Sequence, residues 1–142
     1  MNKLIFTFLL SAITLISYGQ VNSANNRDSL NKFCDKVMQT FVDGKFSNAI
    51  QLFKQNSVMD IITIDNLDKT VNEQMAGILP AYKRIMGYEL IEEKVIKNTL
   101  VRRRYLLKFE NYFLTFDFIL YNNGLGWTVS NFNYKDEPKE LF

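Results

Sequence analysis

Histidine is missing from this chain altogether, and cysteine occurs once, at Cys34. The first absence removes the base on which histidine-assisted serine and cysteine nucleophiles depend, along with every histidine metal site. The second removes any internal disulfide. One thiol and no imidazole would leave a zinc ion only carboxylates, a donor set zinc sites rarely use. Neither a metal nor a cofactor is therefore expected. Charge of one sign is also lacking: 17 Lys+Arg against 15 Asp+Glu give a net +2. That balance does not suggest nucleic acid or an acidic membrane as partner. The one basic run, Arg102 to Arg104, would alternate faces on a strand and so make no continuous basic patch.

A run long enough to span a bilayer is lacking too. The longest apolar stretch, Leu4 to Ile16, has 13 residues, whereas a spanning helix takes about 20. It follows Lys3 and precedes small residues at Ser17 and Gly19, the pattern of a cleaved signal peptide over residues 1–19. No cysteine at the cleavage point suggests a lipid anchor. An exported protein is expected, periplasmic or extracellular, beginning near Gln20 and without a stable membrane anchor once cleaved. Removal of 19 residues leaves 142 − 19 = 123, enough for one domain, and a charge of 16 − 15 = +1, since Lys3 is the only charge removed.

What is present is periodicity. Residues 20–27 are polar and unpatterned, a flexible lead-in. Leu30, Phe33, Cys34, Val37 and Phe41 then form a helical stripe running to Val42, with Asp28 or Ser29 as cap and Gly44 placed to end it. Cys34 reads there as a small buried hydrophobe. A short second helix is expected over "FSNAIQLF" (46–53), and "SVMDIITI" (57–64) is β-rich and ambiguous. Asp65 or Asn66 is expected to cap a third helix on which Leu67, Val71, Met75, Ile78, Leu79, Tyr82 and Met86 share a face, kinked at Pro80 and closed by Gly87.

From Tyr88 the period becomes two. Four strands are expected, near 88–97, 99–110, 112–122 and 126–135, in an antiparallel meander, followed by a polar tail over 136–142. A tight turn at Glu110–Asn111 puts Val101, Arg103, Tyr105, Leu107 and Phe109 on one face with Leu114, Phe116, Phe118 and Leu120, an apolar surface suited to covering helices. Asp117 falls on the other face opposite Arg104 and reads as half of a cross-strand ion pair. Arg103 is a charge on the apolar face. It must pair with a carboxylate, for which Glu93 is placed, or reach the rim, or anchor an anionic ligand. With a five-residue loop at 122–126, Trp127 faces Tyr121 on the outer surface, and Val129 falls beside Ile119. These four would then make an apolar patch suited to an interface with a second copy. A loop shorter by one residue turns Trp127 into the core instead.

The stretch "FVDGKFSNAIQLF" (41–53), the long helix ending at "IMGY" (85–88) and the closing "GWTVSNFNY" (126–134) together resemble the nuclear-transport-factor-two-like superfamily. The resemblance spans residues 28–135 and points to its small exported bacterial members. It implies an α+β fold of the cystatin-like cone type: three N-terminal helices on a curved, roughly four-stranded antiparallel sheet. It also implies a pocket between helices and sheet and a tendency to dimerise. Some members are isomerases or dehydratases that use pocket Asp, Tyr and His residues. The lack of histidine and the outward direction of Asp117 argue against carrying that activity over. The expected function is a non-catalytic exported binding module for a small apolar or anionic ligand or a protein partner, including a second copy. Its ligand site would comprise Arg103, Tyr105, Tyr82, Phe116 and Phe118. Two alternatives are a small isomerase- or hydrolase-like enzyme, with a pocket carboxylate beside Tyr82 or Tyr105, and an interaction domain with a solid core.

Overall fold

A computed structural model describes residues 26–142. The expected signal peptide and most of the lead-in lie outside the described residues. The chain is α+β: four helical segments precede four antiparallel strands.

Helix α1, Arg27–Val42, buries Leu30, Phe33, Cys34, Val37, Met38 and Phe41. Its cap is Asn26, whose side chain accepts from the Ser29 amide at 2.7 Å. This is two or three residues earlier than Asp28 or Ser29, because asparagine caps as well as either. The end is a Schellman arrangement: the Lys45 amide reaches Thr40 O at 3.1 Å and the Gly44 amide reaches Phe41 O at 3.0 Å. That closure needs the left-handed φ of +72° at Gly44. The expected second helix is broken at Leu52 into α2 (Phe46–Gln51) and α3 (Phe53–Asn56).

The ambiguous run 57–64 is divided between two structures. Ser57 bridges Val129 in parallel, with the Val58 amide donating to Val129 O at 3.2 Å. Asp60 then caps α4, Ile61–Tyr82, accepting from the Thr63 amide at 2.7 Å. The helix therefore starts before Asp65, since a good cap outweighs the weak β preference of Ile61, Ile62 and Ile64. It stops at Tyr82, with Pro80 in its last turn. Met86 and Gly87 belong to the first strand rather than to the helix. No helix among the described residues is long and apolar enough to cross a membrane.

The strands are β1 (Ile85–Ile96), β2 (Leu100–Phe109), β3 (Phe113–Asn122) and β4 (Trp127–Lys135), side by side in chain order. Register pairs Arg103 with both Glu93 and Phe118, and Tyr105 with Phe116. The helices cover the face carrying Val101, Tyr105, Leu107, Leu114 and Phe116, all buried. Phe41 packs on Phe116 with ring centres 4.9 Å apart, and Phe53 stacks on Phe118 at 6.1 Å. Burial of each such ring is worth roughly 1.5–3 kcal/mol.

Trp127 is not on the outer face. The hairpin loop is 123–126, so Trp127 pairs with Asn122 and Val129 with Leu120. Both residues therefore sit on the helix side, with Trp127 9% exposed and Val129 fully buried. Asn123 shortens the loop by accepting from the amides of Leu125 and Gly126, at 2.8 and 3.2 Å. A bulge then places Ser130 as an extra residue, its hydroxyl donating to Ile119 O at 3.2 Å. Phe132 and Tyr134 therefore face inward as well, opposite Phe118 and Phe116. The two sheet edges differ. The Ser57–Val58 segment covers β4, whereas in the sheet order β1 has a strand only on its β2 side.

Candidate functional site

The charge on the apolar face is enclosed and shared. Arg103, 6% exposed, sits on β2 between Glu93 of β1 and Asp35 of α1. Its Nη1 donates to Glu93 Oε2, its Nη2 lies 3.5 Å from Asp35 Oδ1, and its Nε donates to the Tyr105 hydroxyl at 2.8 Å. The Tyr105 hydroxyl in turn donates to Asp35 Oδ1 at 2.7 Å, and Arg27 of α1 donates to the second oxygen of Glu93. Two guanidinium groups thus face two carboxylates, and the cluster is neutral as a whole.

Its titration follows from enclosure. Burial, and then the hydrogen bond to Asp35, raise the Tyr105 phenol far above its usual range. Burial likewise raises Tyr88, whose ring lies 6.0 Å from that of Tyr105. Burial pushes the neighbouring Cys34 thiol up to about 12. Chemically, the cluster locks α1 to β1 and β2. A ligand carboxylate or phosphate reaching Arg103 would have to displace Glu93 or Asp35.

Of the five residues expected at a ligand site, four adjoin on β2 and β3. Arg103 and Tyr105 meet, Phe118 packs edge-on against Tyr105 with ring centres 5.6 Å apart, and Phe116 and Phe118 are fully buried, like Tyr105, among Phe41, Phe53 and Phe132. Tyr82 packs instead on Phe109 and Tyr112, with ring centres 5.4 and 4.7 Å away and its hydroxyl 3.5 Å from Asp136 Oδ2. Of the four expected interface residues, Tyr121 and Ile119 lie on the outer face and Trp127 and Val129 lie inside. Asp35 and Arg27 were not foreseen as members of the cluster. The one local sign of Asp35 is its place beside Cys34, at the margin of the buried stripe.

Hollows lie elsewhere among the described residues, two of them against the sheet. A groove of about 390 Å³ between α4 and the β3–β4 side is floored by Met75, Ile78 and Leu114 and rimmed by Gln74, Tyr134 and Asp136. The Tyr134 hydroxyl donates to Gln74 Oε1 across it. A smaller hollow of about 210 Å³ on the outer face is lined by Lys94, Ile96, Leu100, Arg102 and Ile119. Beside it Arg104 holds Asp117 through two bonds, of 2.8 and 2.7 Å. This pair is more enclosed than an outer-face pair is expected to be, since both residues lie on the central strands. Comparison with known proteins finds no matching family model, no similar curated protein and no similar solved structure.

Proposed function

We propose that this chain is an exported, non-catalytic interaction module, a helix-backed cone of the nuclear-transport-factor-two-like type that works through contact with protein. The observation behind this reading is the occupation of Arg103. The one cation on the apolar face is held by Glu93, Asp35 and Tyr105 of its own chain, so it serves the fold rather than an anion. Asp35, which the enzymatic alternative would use as its carboxylate, is engaged in the same cluster.

Substitution Arg103→Met tests this reading. Breaking a buried pair by removing one partner costs about 3–5 kcal/mol. The low end applies here, because Glu93 keeps Arg27 and both carboxylates remain partly exposed. Urea unfolding is expected to report a loss of about 3 kcal/mol. Phosphate and dodecanoate should leave the wild-type Tm unchanged. A variant of undiminished stability, with a wild-type Tm that rises in phosphate and a variant Tm that does not, would overturn the reading in favour of an anion site.

A second reading rests on the groove at Tyr134. Its volume lies within the usual range of small-molecule sites, roughly 300–1,000 Å³, and its apolar floor suits a small apolar ligand. A Tm raised by dodecanoate in both wild type and Arg103→Met would favour it.

A further inference from the structure

We propose that the free edge of β1 pairs with the β1 edge of a second copy of this chain, antiparallel and with the two-fold axis at Glu93. The inference rests on the interaction-module reading and names its partner. It differs from a dimer through the outer sheet face, because the contact is made in the plane of the sheet.

Three observations carry it. The first is that β4 is covered by Ser57–Val58 while β1 has a strand on one side only, leaving a row of backbone donors and acceptors without a strand to meet. The second is where the apolar surface lies. Of the twelve exposed large hydrophobic side chains among the described residues, five belong to β1: Met86, Leu90, Ile91, Val95 and Ile96. Val95, 48% exposed, lies on the helix side and Ile96, 62% exposed, on the outer side. A face-on partner would cover only one of these, whereas an added strand flanks both.

The third observation is charge order. Irregularities interrupt the strand between Ile85 and Gly87 and between Leu90 and Glu92, leaving Glu92–Ile96 as the regular stretch. Charged residues on an edge ordinarily discourage pairing, but here Glu92 and Lys94 have opposite signs. An antiparallel pair centred on Glu93 places Glu92 opposite Lys94 of the second copy, and Lys94 opposite Glu92, on the outer face. Glu93 then meets its own copy, but each carboxylate already lies between Arg27 and Arg103. Centring on Lys94 instead would set two ammonium groups against each other and Glu92 against Ile96. The charge order therefore favours the register centred on Glu93 over the one centred on Lys94. A net charge of only +2 adds little long-range repulsion between copies.

Analytical ultracentrifugation of the chain from Gln20 tests the proposal, with wild type, Glu92→Lys, Lys94→Glu and the double exchange measured side by side. Wild type is expected to dimerise reversibly. Each single reversal puts like charges opposite each other twice and should weaken the dimer about tenfold. The double exchange should restore it. Thermal unfolding at concentrations below the dissociation constant separates damage to the fold from loss of pairing. A wild-type monomer throughout the micromolar range overturns the proposal, as does a dimer indifferent to the single reversals. Neither result touches the module reading, which stands or falls on Arg103→Met and the ligand melts.

Discussion

Cys34 shows most plainly how one residue's surroundings decide its chemistry. It is fully buried on α1 beside the Arg103 cluster, and burial holds its thiol protonated. Attack on a disulfide reagent needs the thiolate, so Ellman's reagent should react with it only after denaturation. The same enclosure sets an alkaline limit. The folded thiol titrates near 12 against an ordinary value of 9.0, so the stability it contributes is present below pH 9 and is lost as pH rises toward 12. The Tyr105 phenol, raised from an ordinary 10.0, adds a second loss that begins above pH 10. Urea unfolding between pH 9 and 10 should therefore give a shallower decline for Cys34→Ala than for wild type. Equal slopes would mean that the thiol ionises in the folded chain. Lys83 has a different character. It ends α4 with φ 66° and ψ −153°, a combination that glycine alone adopts without strain. Substitution Lys83→Gly should stabilise the protein by about 1 kcal/mol in the same assay, the strain relieved exceeding the entropy glycine adds to the unfolded chain.

At the scale of elements, the strand faces were legible because a period of two leaves no freedom once a single turn is fixed. With Glu110–Asn111 as the turn, Arg103 had to lie inside and Arg104 opposite Asp117, as the register has them. Trp127 was harder to place for the same reason: a loop shorter by one residue reverses its face. The start of α4 was hidden by Ile61, Ile62 and Ile64, which suit a strand, whereas the deciding residue is Asp60. That cap is testable. The Thr63 amide, bonded to the carboxylate, holds the Asp60 pKa below its ordinary value of 3.8. Its contribution is therefore present above that pH and lost as pH falls through it. Asp60→Ala should lower Tm by a few degrees at pH 7, and the difference should shrink as pH falls below 3.8, where the unfolded side chain takes up its proton before the folded one does. Asp60→Asn keeps an acceptor and should lie between the two at neutral pH. A deficit that stays constant down to acid pH would mean that the charge of the cap contributes nothing.

At the scale of the whole molecule, legibility ended where helix meets sheet. Glu93 could be assigned to Arg103 from strand order. Asp35 and Arg27 could not, because no spacing along the chain indicates which turn of α1 crosses which strand. Among the ties between the layers, the Arg103 cluster joins α1 to β1 and β2, and the Ser57–Val129 bridge joins the segment after α3 to β4. The second tie bears on assembly during synthesis. Every α-helix precedes every strand, and the covering of Phe53 by Phe118 and Phe132 must wait for the third and fourth strands. A nascent polypeptide lacking β4 has no partner for Ser57 and no Phe132 against Phe53, so its helical half keeps apolar surface in water until that strand has been made. The helical half therefore stays open to a chaperone that binds extended polypeptide until β4 has emerged.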